Sequence, residues 1–172
     1  MTKHESMRGY FAYELYQHMK ENKDIILVVG DLGYKIFDAH FKDFPDRCIN
    51  TGAAEQAMMG IAVGLALEGK IPVVYSITNF LLYRPFETIR NYINHEQIPV
   101  KLIGSGRDRD YAHDGISHWS EDAEKLFTYY AEGREAIFGN IQESWPETKE
   151  EIPGVLKEIL TTPKPYFLSL RR

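Results

Sequence analysis

The run Asn50-Thr51-Gly52-Ala53-Ala54-Glu55-Gln56 leads into a stretch that carries no charge as far as Leu67. Glu55 is therefore a single carboxylate at the head of an otherwise apolar, small-residue helix. An acid in a first turn interacts favourably with the helix macrodipole, and that suffices for a lone glutamate. A helix apolar almost all round must also be buried on more than one side, so this one is expected to cross an interface. Gly60 and Gly64 lie four residues apart on one face, where they let another backbone approach at a propensity cost of about 1 kcal/mol each. The second stretch with chemical capacity runs Arg107-Asp-Arg-Asp-Tyr-Ala-His-Asp-Gly-Ile-Ser-His-Trp119. It follows a predicted strand end, where open parallel sheets place ligands, and it is the expected substrate side. His and Asp beside glycine are also ordinary turn residues.

Short β-branched runs and a terminal apolar one position these segments. Ile25 to Val29, Cys48 to Asn50, Pro72 to Ser76, Val100 to Gly104 and Tyr166 to Leu170 read as strands, with Ala136 to Ile141 as a further candidate. Helical patterns lie at Glu5 to Lys20, Ile36 to Phe41, Leu82 to His95, Glu121 to Phe127 and Thr148 to Leu160. Thr148 and Glu151 have capping-box spacing, and Phe44-Pro45-Asp46-Arg47 makes a turn into a strand. The alternation predicts an α/β fold, a three-layer sandwich with a mainly parallel sheet flanked by helices. At 172 residues one domain is expected. A net charge of -5 with scattered basic residues argues against a nucleic-acid role. The sequence has no signal-peptide pattern and no apolar run of bilayer length, and its one cysteine, Cys48, cannot form an internal disulfide, so a cytoplasmic location is expected.

The segment from Phe44 to Gln56 resembles the pyrimidine-binding domain of transketolases and 1-deoxyxylulose-5-phosphate synthases, and the likeness extends over nearly the whole chain. Gly30-Asp31-Leu32 is similar to that family's strand-end loop and Asn79-Phe80-Leu81-Leu82-Tyr83 to its aromatic cofactor segment. Asp114-Gly115-Ile116-Ser117-His118 is similar to its Asp-Gly-Pro-Thr-His loop, and Phe167 to Arg171 to its closing strand.

The resemblance implies thiamine diphosphate. The cofactor's carbon 2 must lose a proton, and the base is its own 4'-amino group; a carboxylate hydrogen-bonded to N1' favours the competent imino tautomer. Glu55 maps onto that carboxylate. Phe80 and Tyr83 map onto the aromatic wall for the pyrimidine ring, while Ile77 stands where transketolases carry a third ring. Leu32, beside Asp31, matches an apolar position near the bent cofactor. Asp114 and His118 map onto groups that hydrogen-bond ketose oxygens, and His113 takes a usually acidic position as a candidate proton shuttle. Arg8 matches one phosphate-gripping residue. Gly106 stands where a histidine is usual, and Ser144-Trp145-Pro146 replaces Trp-Arg-Pro. With the phosphate clamp incomplete, Arg107 and Arg109 are the candidates to compensate, and poor activity with ordinary pentose phosphates is expected.

The family's Gly-Asp-Gly run, followed by Asn, which holds Mg2+ and the diphosphate, does not occur in the sequence. The resemblance thus implies a stand-alone pyrimidine-binding subunit of a split enzyme, lacking the diphosphate-binding and C-terminal domains. It pairs with a separate diphosphate-binding subunit that holds Mg2+, as an α2β2 assembly formed through the Glu55 helix, and self-association through that helix is also expected. The implied activity is two-carbon ketol transfer. The alternatives are a decarboxylating 2-keto acid or deoxyxylulose-phosphate-synthase-like enzyme and, in another class, a non-catalytic regulatory partner.

Overall fold

The computed structural model describes residues 5–128 and 136–172. Its strands are β1 (Ile25–Val29), β2 (Cys48–Asn50), β3 (Ile71–Ile77), β4 (Lys101–Ser105), β5 (Gln142–Ser144) and β6 (Tyr166–Leu170). They form one sheet in the order β2-β1-β3-β4-β6-β5, with every neighbouring pair parallel. The sheet is wholly parallel among the described residues, where the sequence pattern predicts a mainly parallel one.

Parallel strands covered on both faces must be apolar on both. Leu27, Val29, Val73, Tyr75, Ile103 and Leu168 point to one core, which α1 (Met7–Glu21) and α6 (Ile152–Thr161) close. Ile26, Val28, Val74, Leu102 and Phe167 point to the other, beneath α3 (Glu55–Leu67), α4 (Thr78–Tyr83) and a π-helical segment, Ile89–His95. Between these elements lie α2 (Asp38–Asp43), on the first face, and the single turn α5 (Phe86–Thr88), on the second.

Local chemistry sets the ends. The Ser6 side chain accepts the Gly9 N–H at the start of α1, which offsets one of the orphan donors there. Glu151 Oε1 accepts the Thr148 N–H at 2.8 Å, completing the expected capping box. Pro153 follows in the first turn of α6, where its missing N–H costs nothing.

Three expectations shift. The helix predicted over Leu82 to His95 is interrupted at Arg84 and Pro85 and continues as a short turn and the π-helical segment. Glu121 to Phe127 carries one 3-10 turn, Ala123–Leu126, in place of an α-helix. Ala136 to Ile141 is turn, and the strand comes just after it at Gln142–Ser144, half-buried at the sheet edge. The apolar residues Ala136, Phe138 and Ile141 are buried without being extended, which is why the run reads as a strand.

The Glu55 helix is buried on one side only. Met58, Met59, Ala62 and Val63 pack inward, whereas Gly60, Ile61, Gly64 and Leu67 are exposed. A Cβ added at Gly60 or Gly64 would meet nothing within 4 Å.

Candidate functional site

After β1 the chain crosses to β2 on one side; after β2 it returns past β1 to β3 on the other. That reversal opens a crevice outside the carboxyl ends of β1 and β3, the place where open α/β sheets bind ligands. Gly30 leaves β1 there, and a Cβ on it would lie 3.3 Å from Met58 Sδ and 3.7 Å from Glu55 Oε1. Asn50 Oδ1 accepts the N–H groups of Asp31 and Gly52, each at 3.0 Å, so one amide clamps the ends of β1 and β2. Glu55 then opens α3 after Ala54, with no side-chain cap on the first turn. The uncapped N–H groups of that turn favour the carboxylate electrostatically.

Glu55 is 3% exposed, and its Oε1 lies 2.8 Å from Arg84 Nη1. The Arg84 guanidinium also lies over the Phe80 ring, 3.7 Å from its centroid. Four residues along a helical backbone bring these two side chains to one face. The other edge of the assembly is His118, whose ring meets Phe80 edge-on at 4.8 Å and whose Nδ1 lies 3.0 Å from Ser117 Oγ. Asn79 holds this loop from α4 by donating to the Ser117 carbonyl at 2.8 Å. Tyr111 stands 6.2 Å from the His118 ring, and its hydroxyl lies 3.0 Å from Ser105 Oγ and accepts from Arg8 Nη1 at 3.1 Å. A continuous string therefore joins Glu55, Arg84, Phe80, His118, Tyr111 and Arg8.

The other candidates are not part of that string. Tyr83 lines a separate cavity of about 680 Å³ with Asn79, Ile116 and Trp119. Asp31 and Leu32 line one of about 200 Å³ with Gly33, Phe37 and Asn50, at the ends of β1 and β2. Ile77 is buried at the end of β3. His113 Nε2 lies 3.2 Å from Asp114 Oδ2 on the exposed part of the loop, and 3.5 Å from Arg172 Nη1.

Two arginines expected to face substrate are engaged by the protein itself. Arg107 is 6% exposed and donates to Ser169 Oγ and carbonyl, to the Pro146 carbonyl and to Glu147. Burial lowers its pKa most, and the Arg171 charge adds to that. Arg109 lies over the Trp119 ring at 4.3 Å and pairs with Glu121 at 2.9 Å. Gly106, at the position where a histidine is usual, has φ of 84°, and a Cβ there would fall 2.2 Å from the Tyr111 ring. Tyr111 fills that space.

Arg84 and Tyr111 were not among the expected site residues. The i to i+4 spacing of Phe80 and Arg84 carried a usable signal for the first. Nothing in the polar run around Tyr111 marked it as an inward-facing ring.

Glu55 and Phe80 together fit a flat, nitrogen-bearing cationic or protonatable ring: a shielded carboxylate accepts from it beside an aromatic face. The guanidinium now in that place has the same features. Among the described residues no group of three or more His, Cys, Asp or Glu side chains is arranged to hold a metal ion. Among the same residues no helix is long and apolar enough to cross a membrane.

A family profile described as "Transketolase, pyrimidine binding domain" matches residues 3–172. An apulose-4-phosphate transketolase subunit of Actinobacillus succinogenes is 29% identical over 171 residues, covering 99% of this chain and 52% of that protein. A putative transketolase C-terminal section from Methanocaldococcus jannaschii is 34% identical over 116 residues, 67% of this chain and 37% of that one. A solved structure titled as a split gene transketolase, an inactive beta4 tetramer, superposes with a TM-score of 0.80 at 28% identity, covering 97% of this chain and 51% of that one. The chain spans about half the length of the apulose-4-phosphate transketolase relative and of the split gene transketolase structure.

Proposed function

The chain belongs to the transketolase pyrimidine-binding domain family, and from that membership we propose that it supplies the pyrimidine half of a thiamine diphosphate site for two-carbon ketol transfer. The observation that carries the reading is Glu55, a carboxylate 3% exposed at the strand-reversal crevice, joined through one planar cation to the face of Phe80.

Thiamine diphosphate, when bound, supplies the nucleophilic carbon that accepts the ketol unit. This chain's own residues do the rest from the pyrimidine side. Glu55 would hold a proton at N1' of the ring, in a setting shielded from water where a hydrogen bond is electrostatically stronger. Phe80 gives the ring its flat support. His118, edge-on to Phe80, is placed to hydrogen-bond a substrate oxygen, with Asp114 and His113 on the same loop nearer solvent. Arg8, positioned by the Tyr111 hydroxyl, is a cation placed to meet an anionic substrate group. Arg107 is buried on internal partners and adds nothing to a phosphate clamp, while Arg109, 57% exposed, is drawn toward Trp119 and Glu121 by contacts that are weak in solvent. With Arg107 so engaged, pentose phosphates are weakly held.

Similar proteins are named as a transketolase subunit and as a split gene transketolase, and in this reading Mg2+ and the diphosphate are held by a separate polypeptide. The bare face of α3, with Ile61, Leu67 and the open Gly60 and Gly64, is the surface offered to that partner or to a second copy, in an α2β2 arrangement. The tetramer named for the similar split gene transketolase supports self-association.

The test is a calorimetric titration with thiamine diphosphate and Mg2+, with and without the diphosphate-binding polypeptide. Binding only in the presence of both chains is expected. Tight binding to this chain by itself would refute the divided site.

A further inference from the structure

Arg84 makes with one group both contacts that the proposed function gives to the aminopyrimidine ring. It donates to Glu55 at 2.8 Å and lies flat over Phe80 at 3.7 Å. The chemistry is shared as well: a guanidinium is planar, carries N–H donors at its edge and stacks on aromatic faces. Two planar groups cannot lie on the same face of Phe80 and bond the same carboxylate oxygen together.

We infer that Arg84 competes with the aminopyrimidine ring for the Glu55 carboxylate and the Phe80 face, and must swing out for the cofactor ring to seat. The inference rests on the thiamine diphosphate reading given above. The geometry allows the exchange. Arg84 caps the end of α4 immediately before Pro85, and its side chain is 46% exposed although Glu55 is 3% exposed. Its outer face is therefore already in water, and leaving requires side-chain rotation without refolding of a helix. Holding the place has a purpose too. A carboxylate as buried as Glu55 is costly without a partner, and Arg84 supplies one until the ring arrives. Displacement is feasible because the incoming ring donates to the same carboxylate, so Glu55 is not left without a partner.

A protein whose binding-competent form is only a fraction f of the total shows an apparent Kd raised by 1/f. Removing Arg84 makes the whole population competent. The experiment is titration and stopped-flow binding of thiamine diphosphate, with Mg2+, to the complex of this chain with its diphosphate-binding partner, comparing wild type, Arg84→Met and Arg84→Lys. Arg84→Met should bind faster and about tenfold more tightly, because an open slot no longer competes with a stacked guanidinium. Arg84→Lys should fall between, since an ammonium keeps the charge for Glu55 but cannot lie flat on the ring. Dissociation should be unchanged in both. If wild type binds and the variants bind equally or more weakly, the inference is overturned and Arg84 instead helps to hold the cofactor. Should Arg84→Met fail to fold, an Arg84→Lys complex no tighter than wild type is enough to overturn it. If the wild-type complex does not bind thiamine diphosphate at all, the functional reading itself fails, and this inference with it.

Discussion

Replacing Arg107 by methionine separates a structural from a substrate-binding arginine. The guanidinium donates to the Pro146 carbonyl at 2.9 Å, the Ser169 carbonyl at 3.0 Å and Ser169 Oγ at 3.2 Å, and pairs with Glu147 at 2.7 Å. Glu147 is 66% exposed, so the loss of that ion pair counts for little. The two carbonyls matter more. Each buried acceptor left without a donor costs about 1–3 kcal/mol. The sum is about 4 kcal/mol, in the range for breaking a buried charged network. In a domain of this size that lowers Tm by roughly 10–15 °C. Thermal unfolding followed by circular dichroism reads the shift, and steady-state kinetics of the reconstituted complex below the melting temperature reads the rest. Unchanged KM for the sugar substrate is expected alongside the lowered Tm. A variant that melts within about 2 °C of wild type but has a sharply raised KM would refute the reasoning, because Arg107 would then be spending its charge on substrate.

Three other outcomes follow from named contacts. His40 is fully buried between the edges of Tyr16 and Phe37, neither ring nitrogen has a hydrogen-bond partner, and burial lowers its pKa to about 4 despite the nearby Ala12 carbonyl and Asp43 carboxylate. The unfolded chain therefore binds the proton first, so stability is full above about pH 6.5 and falls by about 3 kcal/mol as pH drops to about 4. Urea unfolding of wild type and His40→Leu should show that slope only in wild type; parallel curves would remove His40 as the cause. Gly106→Ala should cost about 2–4 kcal/mol, since φ is 84° and the new Cβ falls 2.2 Å from Tyr111; a melt equal to wild type contradicts the tight fit. Arg8→Met should raise KM for an anionic substrate about tenfold with little change in Tm, as expected for a lost charge-assisted contact, and a loss of Tm without a KM effect would make it structural.

The central strands were legible because they are compact apolar runs buried on both faces, β-branched at Ile25 to Val29 and aromatic and leucine-rich at Tyr166 to Leu170. The expected short strand after residue 135 was displaced because Ala136 and Phe138 are buried in turns, while the true edge strand, Gln142–Ser144, has no apolar residue. Pro85 was visible, yet its effect on the helix from Leu82 was not, since the chain resumes helical pattern beyond it. In the site, Glu55 could be singled out from local context, and Phe80 only from the resemblance to the family's aromatic cofactor segment. The partner that links them could not, because Arg84 meets Glu55 across 29 positions of sequence. Arg107 misled for a related reason. A polar run reads as a solvated loop, and only the neighbouring β4 and β6 ends reveal that this arginine turns inward to Ser169.

In the proposed function Glu55 activates the cofactor through N1'. Exchange of the carbon 2 proton of thiamine diphosphate with deuterium, measured by quench and NMR in the reconstituted complex, reports that step without any sugar present. Wild type should exchange at least about a hundredfold faster than Glu55→Gln, the lower end of what a positioned acid-base group contributes, with both complexes saturated with cofactor. Equal exchange in the two would contradict the role of Glu55.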